Sequence, residues 1–261
     1  MRNIVVLDYD GYIHKSYYAG YNEENPQDFS ECFKCLRTME SFIPDKADEF
    51  FQYEDYEIFK IISGHSFKKD LYPSYKAQRK SDENLGLYRE ECKELEDTYI
   101  AERLEADDAI VGLSECDPDR VLVFSDDKDL HKYCKWTCKL NQDAKFSKEK
   151  YSKEAQLIQM ITGDSTDNIK GVPMFGEAKA KKYLDTVGYS LQSVIKLYKT
   201  QGISPDECMK NLVMVHPCAV GLLDNFYTDY DPEKTDEMIL DFLAAMNEKV
   251  KEVYYGEKEG N

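Results

Sequence analysis

Short, unbroken apolar runs alternate along the chain with stretches in which apolar residues recur every three or four positions. Ile4 to Leu7 is one such run, rich in β-branched side chains, Arg120 to Phe124 carries another, and Glu57 to Ile62, interrupted by Lys60, reads as the second strand. A strand apolar on both faces needs cover on both faces, so these runs predict buried, parallel strands. Between them, Phe29, Cys32, Phe33, Leu36, Met39 and Phe42 share one helical face and predict a helix over 29–43. An amphipathic, mostly acidic helix is expected over 81–103, and further helices over 151–162, 190–199 and 235–254. Trp136 to Leu140 reads as an edge strand. Strands alternating with helices predict an α/β fold with a largely parallel central sheet flanked by helices.

Composition narrows the class. A chain of 261 residues can bury a full core and suits one domain, or a core with a small appendage. No apolar run approaches membrane-spanning length, and Met1 leads straight into a strand pattern without a basic leader, so a cytoplasmic protein without a membrane partner is expected. Eight cysteines in that compartment should be reduced; Cys32 and Cys35, like Cys134 and Cys138, read as buried thiols rather than zinc ligands. The net charge of −17 opposes indiscriminate binding to nucleic acid. That opposition eases if carboxylates converge on a cation site while lysines cluster where a strand would run, as at Lys68 and Lys69, Lys76 to Lys80, and Lys179 to Lys182.

The densest chemistry lies in Gly163 to Leu184, GDSTDNIKGVPMFGEAKAKKYL. On a helical turn, Asp164 and Asp167 would leave the same face and could hold one cation. Gly171, Val172 and Gly176 bracket a tight connection whose backbone N–H groups could approach a phosphate, and a helix from Glu177 would aim its N-terminus there, backed by Lys179, Lys181 and Lys182. Other acids sit where sheets present ligands. Asp8 follows the first strand, with Asp10 and Gly11 as an alternative pair; Glu105, Ala106, Asp107 and Asp108 open a helix; Asp126, Asp127 and Asp129 follow the strand ending at Phe124. Leu71 to Lys80, LYPSYKAQRK, reads as a basic helix start in which Tyr75 offers a ring for stacking while Lys76, Arg79 and Lys80 track phosphates.

These segments resemble, in order, the strand-end Asp, the "YKxxR", the "E-A-D-D", the "S-x-D-x-D" and the "GDxxDNIPGVxGxGxKTA" of the 5'-nuclease family of flap endonucleases and 5'-3' exonucleases. The resemblance runs over about 4–184 and implies a nuclease core over 1–160 with a short helical arch at 71–103, a helix-hairpin-helix variant over 161–205 that grips duplex, and a C-terminal helical segment over 206–261 packing on the core. It further implies a free-standing, monomeric 5' nuclease of the phage type, cutting phosphodiesters of 5'-ended, nicked or flapped DNA, or RNA–DNA hybrid, in replication or repair. Two Mg²⁺ or Mn²⁺ ions would serve it, one on Asp8, Glu105 or Asp107, and Asp127, the other on Asp129, Asp164 and Asp167, with Asp108 shared or behind them. K⁺ would sit at the hairpin, and Lys76 and Arg79 would hold the scissile phosphate. Two departures stand out. Lys170 replaces a usual proline, and no aspartate follows the second strand, where Ser63, Gly64 and His65 stand instead, leaving His65, Asp10 or Asp70 to fill the gap. A PIN-like or primer-removing ribonuclease, and a DNA-binding protein with a decayed site, are the competing readings.

Overall fold

The computed structural model describes residues 2–141, 146, 153–215 and 232–256. They form two compact units. The first holds 2–65 and 80–141, the second 66–79, 153–215 and 232–256. Of the stretch 71–80, expected at the base of an arch on the core, residues 71–79 fall in the second unit.

The first unit is built on a parallel five-stranded sheet, ordered β3-β2-β1-β4-β5. Its strands are β1 (Asn3–Asp8), β2 (Tyr56–Ser63), β3 (Thr98–Ala101), β4 (Val121–Phe124) and β5 (Thr137–Cys138). Every residue of β1 and β4 is buried, which is why both read as unbroken apolar runs. Helix α1 (Tyr9–Gly20) begins at the end of β1, capped by the Asp8 carboxylate accepting from the Gly11 N–H. Beyond it the expected single helix over 29–43 divides into α2 (Ser30–Glu40) and α3 (Ile43–Phe51). Pro44, which lacks an N–H and restricts its predecessor, suits a helix start and not an interior.

The stretch 81–103 is not a single helix. The helix there is α5 (Glu83–Lys93), started by Asp82, whose carboxylate accepts from the N–H groups of Asn84 and Leu85. The chain then turns into β3, a strand the acidic composition had hidden. Apolar β-branched and aromatic positions at Tyr99 and Ile100 suit pairing with β2 better than a prolonged helix. Helix α6 (Ala106–Cys116) follows and leads back to β4.

The second unit contains α4 (Phe67–Leu71), α8 (Lys153–Thr162), a two-stranded antiparallel hairpin of β6 (Gly163–Asp164) and β7 (Ile169–Lys170), then α9 (Glu177–Val187), α10 (Leu191–Thr200), α11 (Pro205–Val215) and a last helix, Pro232–Tyr255; a short α7 (Leu130–Tyr133) lies in the first unit. Tyr198 on α10 donates its hydroxyl to the Met160 carbonyl of α8 at 2.6 Å, and Tyr254 on the last helix donates to the Ile203 carbonyl at 2.8 Å. Among the described residues no helix is long and apolar enough to cross a membrane.

Candidate active site

In the first unit the strand order reverses at β1, with β2 on one side and β4 on the other. Open parallel sheets bind ligands at the carboxyl ends of strands near such a reversal. Asp8 ends β1 there, only 8% exposed. Its Oδ2 accepts the Ser125 hydroxyl at 2.6 Å, and its Oδ1 accepts the Gly11 N–H at 3.3 Å. Burial raises its carboxyl to about 6 against the pull of the Ser125 hydrogen bond, and the charges of Asp10 and Asp127 add to the rise.

Ser125, fully buried just past β4, also accepts the Asp127 N–H at 2.9 Å. Asp127 in turn accepts the Asp129 N–H at 2.6 Å, and Lys132 lies 2.9 Å from the Asp129 carboxylate. One hydroxyl thus ties a β1 acid to the turn carrying two β4 acids. Sequence reasoning passed over Ser125, although it heads the very segment that supplied Asp127 and Asp129. Asp126, the extra acid, pairs with Lys15 and accepts the Leu140 N–H, a role in holding the loop.

Glu105 and Asp108 form a reciprocal capping box at the start of α6. Asp108 is 1% exposed and accepts the Glu105 N–H, so its first task is to start the helix. Asp107, between them in the first turn, is half-buried. Asp8 and Asp10 differ in their partners. Asp10 faces Arg89 at 3.0 Å and accepts the Ser63 N–H at 2.9 Å, tying α1 and α5 to the end of β2. Where the expected aspartate is missing, the Ser63 hydroxyl accepts the Ala106 N–H at 2.8 Å.

In the second unit Asp164 and Asp167 do not share a helical turn. Asp164 lies in β6 and Asp167 in the turn to β7, where Asp164 accepts the Thr166 N–H at 2.8 Å and Asn168 takes a positive φ of 61°. Asp167 faces two cations: Arg79 donates to its carboxylate and Lys76 Nζ lies at 3.8 Å. Residues 72–79 form successive turns and not a basic helix start. Tyr75 is 5% exposed with Lys76 Nζ 4.9 Å from its ring centroid, so it offers no stacking platform.

The glycine-flanked connection also differs from expectation. A Cβ on Gly171 would stand 2.2 Å from the Thr162 backbone, so this glycine answers a packing demand. Val172 is buried and gives its N–H to the Ile161 carbonyl at 2.7 Å, which withdraws it as a phosphate donor. Gly176, at the N-cap of α9, is exposed with open space around it. Lys179 sits 4.1 Å from the Phe175 ring centroid and donates to the Met174 carbonyl, while Lys182 is exposed on the next turn. Lys80, also exposed, belongs to the first unit.

Among the described residues, no three His, Cys, Asp or Glu side chains converge closely enough to form a ready-made metal cage. The donors at hand are nonetheless hard carboxylate oxygens, and the Asp8 carboxyl, raised chiefly by burial and further by the charges of Asp10 and Asp127, is one whose charged form a divalent cation would stabilise. All described cysteines are free thiols, and burial pushes that of Cys134 up to about 12, far from metal-binding thiolate behaviour.

Known proteins resemble this chain in sequence and in fold. A 5'-3' exonuclease of Mycoplasmopsis pulmonis is 26% identical over 226 residues, covering 76% of this chain and 73% of that protein. A DNA polymerase I of Rhizobium leguminosarum is 30% identical over 145 residues, or 48% of this chain; the match spans only 14% of the polymerase. A bacteriophage T5 flap endonuclease, solved with DNA and metal ions, superposes with a TM-score of 0.55 at 18% identity, covering 97% of this chain and 99% of that one, and so shares the fold. The family model of the 5'-3' exonuclease N-terminal resolvase-like domain matches residues 3–161, from β1 through nearly all of α8, and the chain therefore belongs to the 5'-3' exonuclease family.

Proposed function

We propose that the chain is a structure-specific 5' nuclease that hydrolyses phosphodiesters of 5'-ended, flapped or nicked duplex DNA with divalent metal ions, Mg²⁺ or Mn²⁺. The observation that carries this is the buried Asp8 joined through Ser125 to the turn bearing Asp127 and Asp129, at the sheet's reversal point. Membership of the exonuclease family supports the same reading.

Asp8, Glu105 or Asp107, and Asp127 would hold one ion within the first unit, where Asp129 is a further candidate ligand, and Asp164 and Asp167 are candidate ligands within the second. When bound, such ions lower the pKa of a coordinated water and neutralise charge on the leaving oxygen. The rest falls to the chain. Ser125 keeps Asp8 oriented and ionisable at neutral pH by donating to its charged form. Lys76 and Arg79 bring positive charge to a substrate phosphate, and in its absence they rest against Asp167, which limits the repulsion within the acidic turn. The exposed N-terminus of α9 with Gly176 and Lys182 would contact the phosphates of a duplex, with K⁺ as a further candidate there.

The decisive experiment incubates a 5'-labelled flap duplex with the protein in Mg²⁺ and, separately, in EDTA. Short labelled products released only with Mg²⁺ support the reading; binding without cleavage in Mg²⁺ and Mn²⁺ overturns it in favour of a binding protein.

A further inference from the structure

Residues 74–79 carry the two phosphate-directed cations but contain no regular helix or strand, so something other than a backbone ladder must hold them in place. The contacts that do so run to the hairpin turn. Gln78 Nε2 donates to the Ser165 carbonyl at 2.8 Å and to the Thr166 carbonyl at 3.0 Å. Asn168 returns the contact, its Nδ2 donating to the Ser74 carbonyl at 3.0 Å, and the Lys76 N–H donates to the Asp167 carbonyl at 3.2 Å. Ser165 and Thr166 are the two residues between the acids Asp164 and Asp167.

Resting on the nuclease reading above, we infer that Gln78 is a positioning residue: it sets where Arg79, its chain neighbour, stands relative to the acidic turn. The contact requires a nitrogen donor with more than one N–H. The carboxamide's two N–H bonds satisfy two successive carbonyls from one nitrogen, which neither a thioether nor a carboxylate can do, and a glutamate would face those carbonyls with oxygen. Gln78 is exposed, so its hydrogen bonds add little to global stability. Their effect is local, and catalytic geometry is sensitive to displacements of about 1 Å, which can cost on the order of 100-fold in rate. Neither the charge pattern nor the acidic spacing drew notice to this residue.

The test compares wild type with Gln78→Met, Gln78→Glu and Gln78→Lys in single-turnover cleavage of a 5'-labelled flap duplex in Mg²⁺, alongside affinity for the same duplex in EDTA and the thermal midpoint. Expected are a cleavage rate lowered at least about 10-fold in the Met and Glu variants, affinity within about twofold, an unchanged midpoint, and recovery to within about threefold in the Lys variant, which keeps a donor of similar reach. A Met variant at the wild-type rate overturns the inference, as does a rate loss that tracks a lowered midpoint, which would mark a structural role. A wild-type chain that leaves the flap uncut overturns the nuclease reading instead.

Discussion

The Ser125 hydroxyl donates to Asp8 Oδ2 at 2.6 Å inside the first unit, and so joins the ends of two neighbouring parallel strands at the point where their order reverses. The same oxygen receives the Asp127 N–H, so a single small polar side chain sets the relation between a fixed acid and an acid on a turn.

That relation yields a pH prediction for the metal-free protein. Asp8 is raised to about 6 in the folded chain from an ordinary value near 3.8, chiefly by burial. The folded state therefore holds the proton more tightly, and stability contributed by protonated Asp8 declines as pH rises from about 4 through about 6. A displacement of this size is worth roughly 3 kcal/mol. Asp8→Asn should flatten that decline, and Asp127→Asn should lower the Asp8 value by removing one repelling charge. Chemical denaturation in EDTA between pH 4 and 8 measures both; an unaltered slope in Asp8→Asn would place the titration elsewhere.

Asp129→Asn and Asp164→Asn should each reduce Mg²⁺-dependent cleavage by at least about 100-fold while leaving duplex binding near normal or tighter, since each removes a negative charge as well as a candidate ligand. Gel-shift affinity and cleavage rate, measured on the same preparation, check the two halves separately. Full cleavage by either variant would remove that acid from the metal-binding set. By contrast Asp10→Asn should cut normally and lose about 1–2 kcal/mol of stability, because it breaks the contact with Arg89.

The lysines of α9 should not be equivalent. Lys182 is exposed, whereas Lys179 is engaged by the Phe175 ring and the Met174 carbonyl. Lys182→Ala should weaken binding to duplexes of any sequence and lower the salt slope by about one. Lys179→Ala should act through the 174–175 loop, with a smaller change in slope. Equal slopes for Lys182→Ala and wild type would take α9 out of the duplex interface.

The segment that lacks the expected aspartate offers a gain-of-function test. Gly64 cannot accept the acid, because a Cβ there would stand 2.4 Å from the Ala101 carbonyl oxygen, so Gly64→Asp should fail to fold or lose several kcal/mol. His65 is exposed and can be exchanged. His65→Asp should lower the Mg²⁺ concentration needed for half-maximal cleavage, and Mn²⁺, which tolerates an imidazole better, should serve the wild type more readily than Mg²⁺. A midpoint that does not move in His65→Asp would show that another group already serves the metal.

The order of strands and helices was legible because it depends on local physics. Continuous apolar runs at β1 and β4 mean strands covered on both faces, and a parallel sheet places the acids that follow them at one edge. Asp8, Asp127 and Asp129 could be nominated from those strand ends together with their resemblance to the motifs of the 5'-nuclease family. The rest depended on contacts far apart in the chain. Asp8 and Asp10 are both acids near one strand end, and only the approach of Arg89 and Ser125, from 79 and 117 residues away, gives one an ion pair and the other a buried hydroxyl partner. Spacing alone suggested a helical turn for Asp164 and Asp167, but pairing of Gly163 with Lys170 makes the segment a hairpin. Burial of Tyr75, packing around Gly171 and the hold of Gln78 on the turn are likewise decided by what other segments bring alongside. Local periodicity carries information about which face of an element is covered, but a side chain's partners are set only when the tertiary fold brings distant groups within hydrogen-bonding range.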